Sequence, residues 1–153
     1  MMLAIVLPLL ASACARQEPT SGPPEIAYGR DICVQCGMII SEPRFATAYR
    51  LPDGTVEKFD DLGGLLVHGH QTGELDRATV WVHDADTEEW VDADAAFYVA
   101  TATGQTPMGY GIFAFADRKA AERFAAGSGG TVMTWDELVA IPAERIGSSP
   151  STP

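Results

Sequence analysis

The chain is predicted to be an α+β protein of two related ββαβ-type halves, each a small sheet covered by a helix. Two stretches carry that expectation. "KFDDLGGLLVHGHQTGELDRATVWVHD" and "AFADRKAAERFAAGSGGTVMTWDEL" share the order strand, Asp cap, helix, Gly, strand, and each closes on T-V-x-x-x-D. Repetition of one supersecondary pattern points to an internal duplication, with halves at about 31–100 and 101–145. Length agrees: residues 31–145 amount to one domain, and a chain with 46% hydrophobic residues can build a core of that size.

The elements follow in order. "MMLAIVLPLLASAC" is an uncharged apolar run ending in small residues, the layout of a signal peptide over 1–13, and too short to span a bilayer, which takes about 20 apolar residues. Its end resembles a lipobox, which makes Cys14 the expected lipidation site and new N-terminus. The segment 14–30, rich in Pro, Gly, Ser and charge, reads as a tether. "FATAYRL", "PDG" and "TVEKF" read as a β-hairpin. Asp60 or Asp61 can cap the helix "LGGLLVHGHQ", where Gly63 and Gly64 lower helix propensity. "ATVWVHD" is a β-branched and aromatic strand, "DADTEEW" a polar turn, and "AAFYVAT" a further strand. "GYGIFAFAD" ends in a capping Asp117. "RKAAERFAAG" places Ala120, Ala121, Phe124 and Ala125 on one helical face and Gly127 at its end, and "GTVMTWDEL" returns as a strand. Residues 146–153, "IGSSPSTP", read as a disordered tail.

Charge and motifs exclude several functions. A net charge of -11 repels phosphate, so nucleic acid is not an expected partner. The acidic "DADTEEWVDAD" fails as an EF-hand, with Glu89 where Gly is needed and Ala95 where the last Glu belongs. There is no nucleophile elbow and no phosphate loop, and the chain is not expected to be an enzyme.

The chemistry concentrates in "DICVQCGMIIS". A structural zinc site wants four N or S ligands, and the chain has no second cysteine pair. His68 and His70 point to different faces of one helix and His83 lies on a strand, so zinc is poorly served. A redox dithiol wants its first cysteine at a helix N-terminus, and "GMIISEPRF" after Cys36 does not start one. A third use is a soft monovalent metal. Cu(I) takes thiolate and thioether at low coordination number, and Cys36 with Met38 already offers both. Met108, in the Gly-rich turn "TPMGYG", is the candidate for a further thioether, whereas Met133 inside a strand reads as core. The residues also leave room for a thiol-disulfide oxidoreductase using Cys33 and Cys36, or for an interaction module clipped by a disulfide between them.

Taken in order, "CVQCGM", "KFDD", "VWVHD", "WVDADAAFYV" and "TPMGYGIFAFADRKAAERFAAGSGGTVMTWDEL" resemble the NosL family of copper chaperones associated with assembly of nitrous oxide reductase. The resemblance implies an exported, lipid-anchored, extracytoplasmic protein that binds one Cu(I) and hands it to a copper-receiving enzyme or its ABC-transporter assembly machinery. It places candidate ligands at Cys36 and Met108 first, then Met38, then Cys33.

Overall fold

In the computed structural model, which describes residues 21–147, the predicted hairpin forms from β1 (Thr47–Arg50) and β2 (Val56–Phe59), antiparallel with Thr47 opposite Phe59. β3 (Thr79–His83) pairs with the other edge of β1, and β4 (Trp90–Asp92) extends the sheet to the order β2-β1-β3-β4. The second sheet repeats this arrangement: β5 (Phe97–Ala100) lies between β6 (Ile112–Phe115) and β7 (Thr131–Met133), antiparallel to both. Each half is therefore a hairpin, a helix and a third strand returning beside the first. The halves divide before β5, not after residue 100 as the pattern suggested. β5 is the central strand of the second sheet, so "AAFYVAT" opens the second half where the sequence reading had it close the first.

The helices are α1 (Leu62–Thr72) and α2 (Arg118–Ser128). Each begins at an aspartate whose carboxylate accepts a first-turn N–H, Asp61 from Gly63 and Asp117 from Ala120. Each ends at a left-handed glycine, Gly73 or Gly129, the latter two residues beyond the Gly127 expected. A third helix, α3 (Trp135–Val139), stands where "TVMTWDEL" read as continuous strand. Thr134 and Glu137 form a capping box there, and its spacing overrides the β-branched run before it.

Alternation along the second sheet shows what each face covers. Tyr98, Ile112 and Ala114 join the main core with Tyr49, Phe59, Leu65, Leu66, Val80, Val82 and Leu138, while Val99 and Phe115 face Ala120, Ala121 and Ala125 of α2. α1 touches β1 and β2 on one side and β6 on the other, so it is packed between the halves. The fully buried leucines and aromatics of this core are each worth about 1.5–3 kcal/mol, which makes the inter-half layer the principal source of stability.

Both expected disordered flanks contribute to the folded part. In the segment read as a tether, Ile26 is buried, the Gly29 N–H donates to Ile40 O at 2.8 Å, and Gly22 O accepts from Arg50 at 2.7 Å. At the other end Ile146 is buried in the main core. One well-placed apolar side chain in a polar stretch anchors it, and average composition does not register that. The signal segment, Cys14 and residues 148–153 lie outside the described residues.

Candidate metal centre

The CxxCGM segment is held as a narrow loop. Ile32 and Ile39 form a β-bridge at its base, the Cys33 N–H donates to Met38 O at 2.8 Å, and the Gly37 N–H returns to Cys33 O at 2.9 Å. Gly37 sits at φ 74°, a left-handed conformation that explains the glycine between cysteine and methionine. The Val34 N–H donates to Lys58 O at 3.0 Å, which fixes the loop against β2, and the Asp31–Lys58 ion pair at 2.7 Å closes its base.

Cys33 is buried and Cys36 is partly exposed, both as free thiols. Asp60, at the end of β2 and itself buried, is the carboxylate that faces them: the Cys36 thiol lies 3.6 Å from each of its oxygens, and the ligand atoms of Cys33, Cys36 and Asp60 all fall within 4.8 Å of one another. Burial, with the nearby Asp60 carboxylate, pushes the Cys33 thiol up to about 12. Anionic oxygen beside a thiol favours the protonated sulfur until a cation is present to offset the charge.

The second half brings its methionine to this place. Residues 101–111, between β5 and β6, reach across to the first turn of α1. There a Cβ on Gly64 would lie 2.8 Å from Met108 Sδ and 3.8 Å from Gln35 Cβ. The absence of a side chain at Gly64 thus makes room for a sulfur next to the residue between the two cysteines. Gly63 does the same for the Tyr110 ring, whose Cγ would lie 2.2 Å from an added Cβ. Burial first, and then the charge of Asp61, raises the Tyr110 hydroxyl above its ordinary value.

Cys33 and Cys36 therefore lie with Asp60 just before α1, and Met108 packs on Gly64 in the first turn of that helix. Met38 differs, its side chain being 48% exposed. The large hydrophobics that are exposed among the described residues are Tyr28, Ile32, Val34, Met38 and Ile39, all within the stretch of chain around the two cysteines. Asp60 and Gln35 are site residues that the sequence reading did not assign. Two adjacent aspartates where one cap suffices was the available signal.

Of the histidines, His70 is exposed and His83 is buried, its Nδ1 on Ala46 O at 2.7 Å and its Nε2 3.2 Å from the Tyr28 hydroxyl. His68 is connected to the loop. Its Nδ1 lies 3.2 Å from Gln35 Oε1 and its Nε2 2.9 Å from a Glu57 oxygen. Glu57, His68 and Glu74 offer ligand atoms within 4.8 Å of one another, and the Tyr49 hydroxyl bridges the two carboxylates, 2.6 Å from that of Glu74. This group has the donors to hold a cation, and without one it acts as a polar prop behind Gln35.

The NosL family model matches residues 26–141, and the chain belongs to that family. It is 27% identical over 148 residues to the copper-binding lipoprotein NosL of Stutzerimonas stutzeri, covering 90% of this chain and 78% of the relative. The fold matches the crystal structure of the copper chaperone NosL from Shewanella denitrificans with a TM-score of 0.62 and 24% identity, over 75% of this chain and 96% of that one. Both relatives are named for copper binding or copper chaperoning, and neither as an enzyme.

Proposed function

We propose that this member of the NosL family is an exported Cu(I) metallochaperone that holds one ion at the N-terminus of α1 and passes it on by ligand exchange. The observation that carries the reading is the lodging of Met108 Sδ on Gly64 beside the CxxC loop. This seats a soft sulfur on the first turn of α1, against Gln35 of the loop that carries the two thiols, where it can serve as a thioether ligand. Cys36 supplies the accessible thiolate, Met108 the thioether, and Cys33 a second sulfur whose thiol proton leaves as the ion enters. Cu(I) is well served by two or three such donors.

Low coordination leaves one side for a recipient's ligand to enter before the first ligands leave. Met38, exposed with its sequence neighbours Val34 and Ile39, provides the contact for that step and the transient thioether. The recipient is a cuproenzyme or the ABC-transporter machinery that assembles it, with nitrous oxide reductase maturation as the expected setting. Lipidation at Cys14, in keeping with a relative named a lipoprotein, would tether the domain at an extracytoplasmic membrane face. No helix among the described residues is long and apolar enough to cross a membrane.

The oxidoreductase alternative asks for an activated first cysteine, whereas Cys33 is buried with its thiol pushed up to about 12. Titration of the reduced protein with Cu(I) against a chromogenic chelator tests the proposal. One tight equivalent is expected, lost most with Cys36→Ser and weakened with Met108→Leu. Unchanged affinity in the methionine variant, together with catalytic disulfide reduction by the pair, would overturn it.

A further inference from the structure

We propose that Asp61 is a positioning residue for the Met108 thioether, holding the loop that carries it as well as capping α1. Asp61 is fully buried. One carboxylate oxygen accepts the Gly63 N–H at 2.8 Å, which completes the helix cap. The other accepts the Thr106 hydroxyl at 2.6 Å and the Met108 N–H at 2.9 Å. The Thr106 hydroxyl oxygen in turn accepts the Gly111 N–H at 3.2 Å, and Thr106 O the Gly109 N–H at 2.9 Å. A single oxygen thereby holds Thr106 and Met108 directly, and Gly111 through the Thr106 hydroxyl.

Asp61 is more than a cap. Serine or threonine caps a helix as well as aspartate does and buries no charge, so a fully buried carboxylate needs a further reason. Asp117, at the matching position of α2, supplies the contrast: it is exposed and its carboxylate accepts only from its own helix, the Ala120 N–H at 2.9 Å, among the described residues. In addition, a thioether forms no strong hydrogen bond and turns about three side-chain bonds. Its placement must come from its own backbone and from the walls around it. Asp61 fixes the backbone, and Gly64 with Gln35 forms the wall.

This inference rests on Met108 as a copper ligand, and the test separates the two. Full-length reduced protein carrying 13C-methyl methionine is compared with its Asp61→Ser, Asp61→Asn and Asp117→Ser variants, the Met108 methyl signal being assigned by its disappearance in Met108→Leu. In copper-free protein the Asp61 variants should move the Met108 methyl toward the position of free methionine, and Asp117→Ser should leave it in place. Cu(I) affinity should fall about tenfold or more in the Asp61 variants, from the loss of hydrogen bonds to a charged group. Combining Asp61→Ser with Met108→Leu should lower it no further than Met108→Leu alone.

An unmoved methyl with retained affinity, or additive losses in the double variant, overturns the proposal. Unfolding of both Asp61 variants, read from collapse of amide dispersion, overturns it too, because the residue is then a determinant of folding. If the methyl moves while Met108→Leu binds copper as tightly as the parent, the clamp stands and the ligand role of Met108 fails.

Discussion

The two halves share one topology and differ in what they ask of their helices. α1 and α2 have the same length, an aspartate before the first residue and a left-handed glycine after the last. Aligned by those caps, Gly63, Gly64, Leu66, His68 and Gly69 stand opposite Lys119, Ala120, Glu122, Phe124 and Ala125. α2 buries one stripe of small residues and leaves the rest to solvent, whereas the first turn of α1 is buried all round, with sheet on two sides and the Met108 turn on a third. The connections differ in the same sense. Residues 51–55 close the first hairpin tightly, while residues 101–111 make the second long enough to reach across to α1. The two frames are thus alike in topology, and the candidate site lies where a loop of one covers a helix of the other.

Substitution at matched positions should expose that asymmetry, most strongly in the core. Leu66→Ala removes a fully buried side chain between the halves and should cost about 2–5 kcal/mol. Its counterpart Glu122→Ala touches an exposed ion pair with Arg118 and should stay within about 0.5 kcal/mol. Urea midpoints of the two variants measure the difference directly. Equal losses would mean that α1 is not the layer joining the sheets.

The glycines give a smaller but more diagnostic effect. On propensity alone Gly63→Ala should stabilise α1 by about 1 kcal/mol. The added Cβ, however, would meet the root of the Tyr110 ring at 2.2 to 2.5 Å, where no flexible end can swing aside. Overpacking of that kind costs about 1–3 kcal/mol, so a net loss of about 1 kcal/mol is expected. Lys119→Ala, its exposed counterpart, should be neutral within about 0.5 kcal/mol. A stabilised Gly63→Ala would show that the Met108–Tyr110 turn does not rest on the helix as described.

The same contrast explains which features were legible in the sequence. The hairpin, both capped helices and the repeated strands follow from local signals, namely period-two alternation, a D-G turn, Asp caps and terminal glycines. Cys33, Cys36 and Met108 could be singled out as candidates because their residue types are chemically specific. Gly63 and Gly64 looked like defects in a helix, since what they accommodate lies more than forty positions away in sequence. Asp60 and Asp61 looked like two options for one cap, and only the folded chain shows one carboxylate turned to the thiols and the other to the Met108 turn. α3 went unseen because its capping box directly follows a strand, and β5 was assigned to the wrong half because nothing in a strand's own sequence names its sheet.

The seam between the halves offers the mildest test, and one that depends on pH. Asp84, just after β3, accepts the Ala116 N–H at 2.6 Å from beyond β6, and the N–H groups of Thr87 and Asp86 at 2.8 and 2.9 Å. Burial alone raises this carboxyl, but those three backbone donors outweigh it and hold it below its ordinary value. A carboxyl lowered on folding adds stability above its unfolded pKa, near 3.9 for aspartate, and the contribution is lost as pH falls through the lower folded value. Asp84→Asn should therefore cost about 1.5 kcal/mol at neutral pH, since an amide nitrogen or a weaker acceptor replaces the anion that receives these N–H groups. That gap should narrow below about pH 4, where the unfolded chain's Asp84 takes up a proton that the folded carboxylate still resists, and close at the lower folded value. Denaturation midpoints of parent and variant from pH 7 down to 3 measure it. A gap that stays constant with pH would assign the Asp84 contribution to shape rather than charge, and would leave the direct Ala85 N–H to Ala114 O bond at 2.8 Å as the polar link that joins the two sheets there.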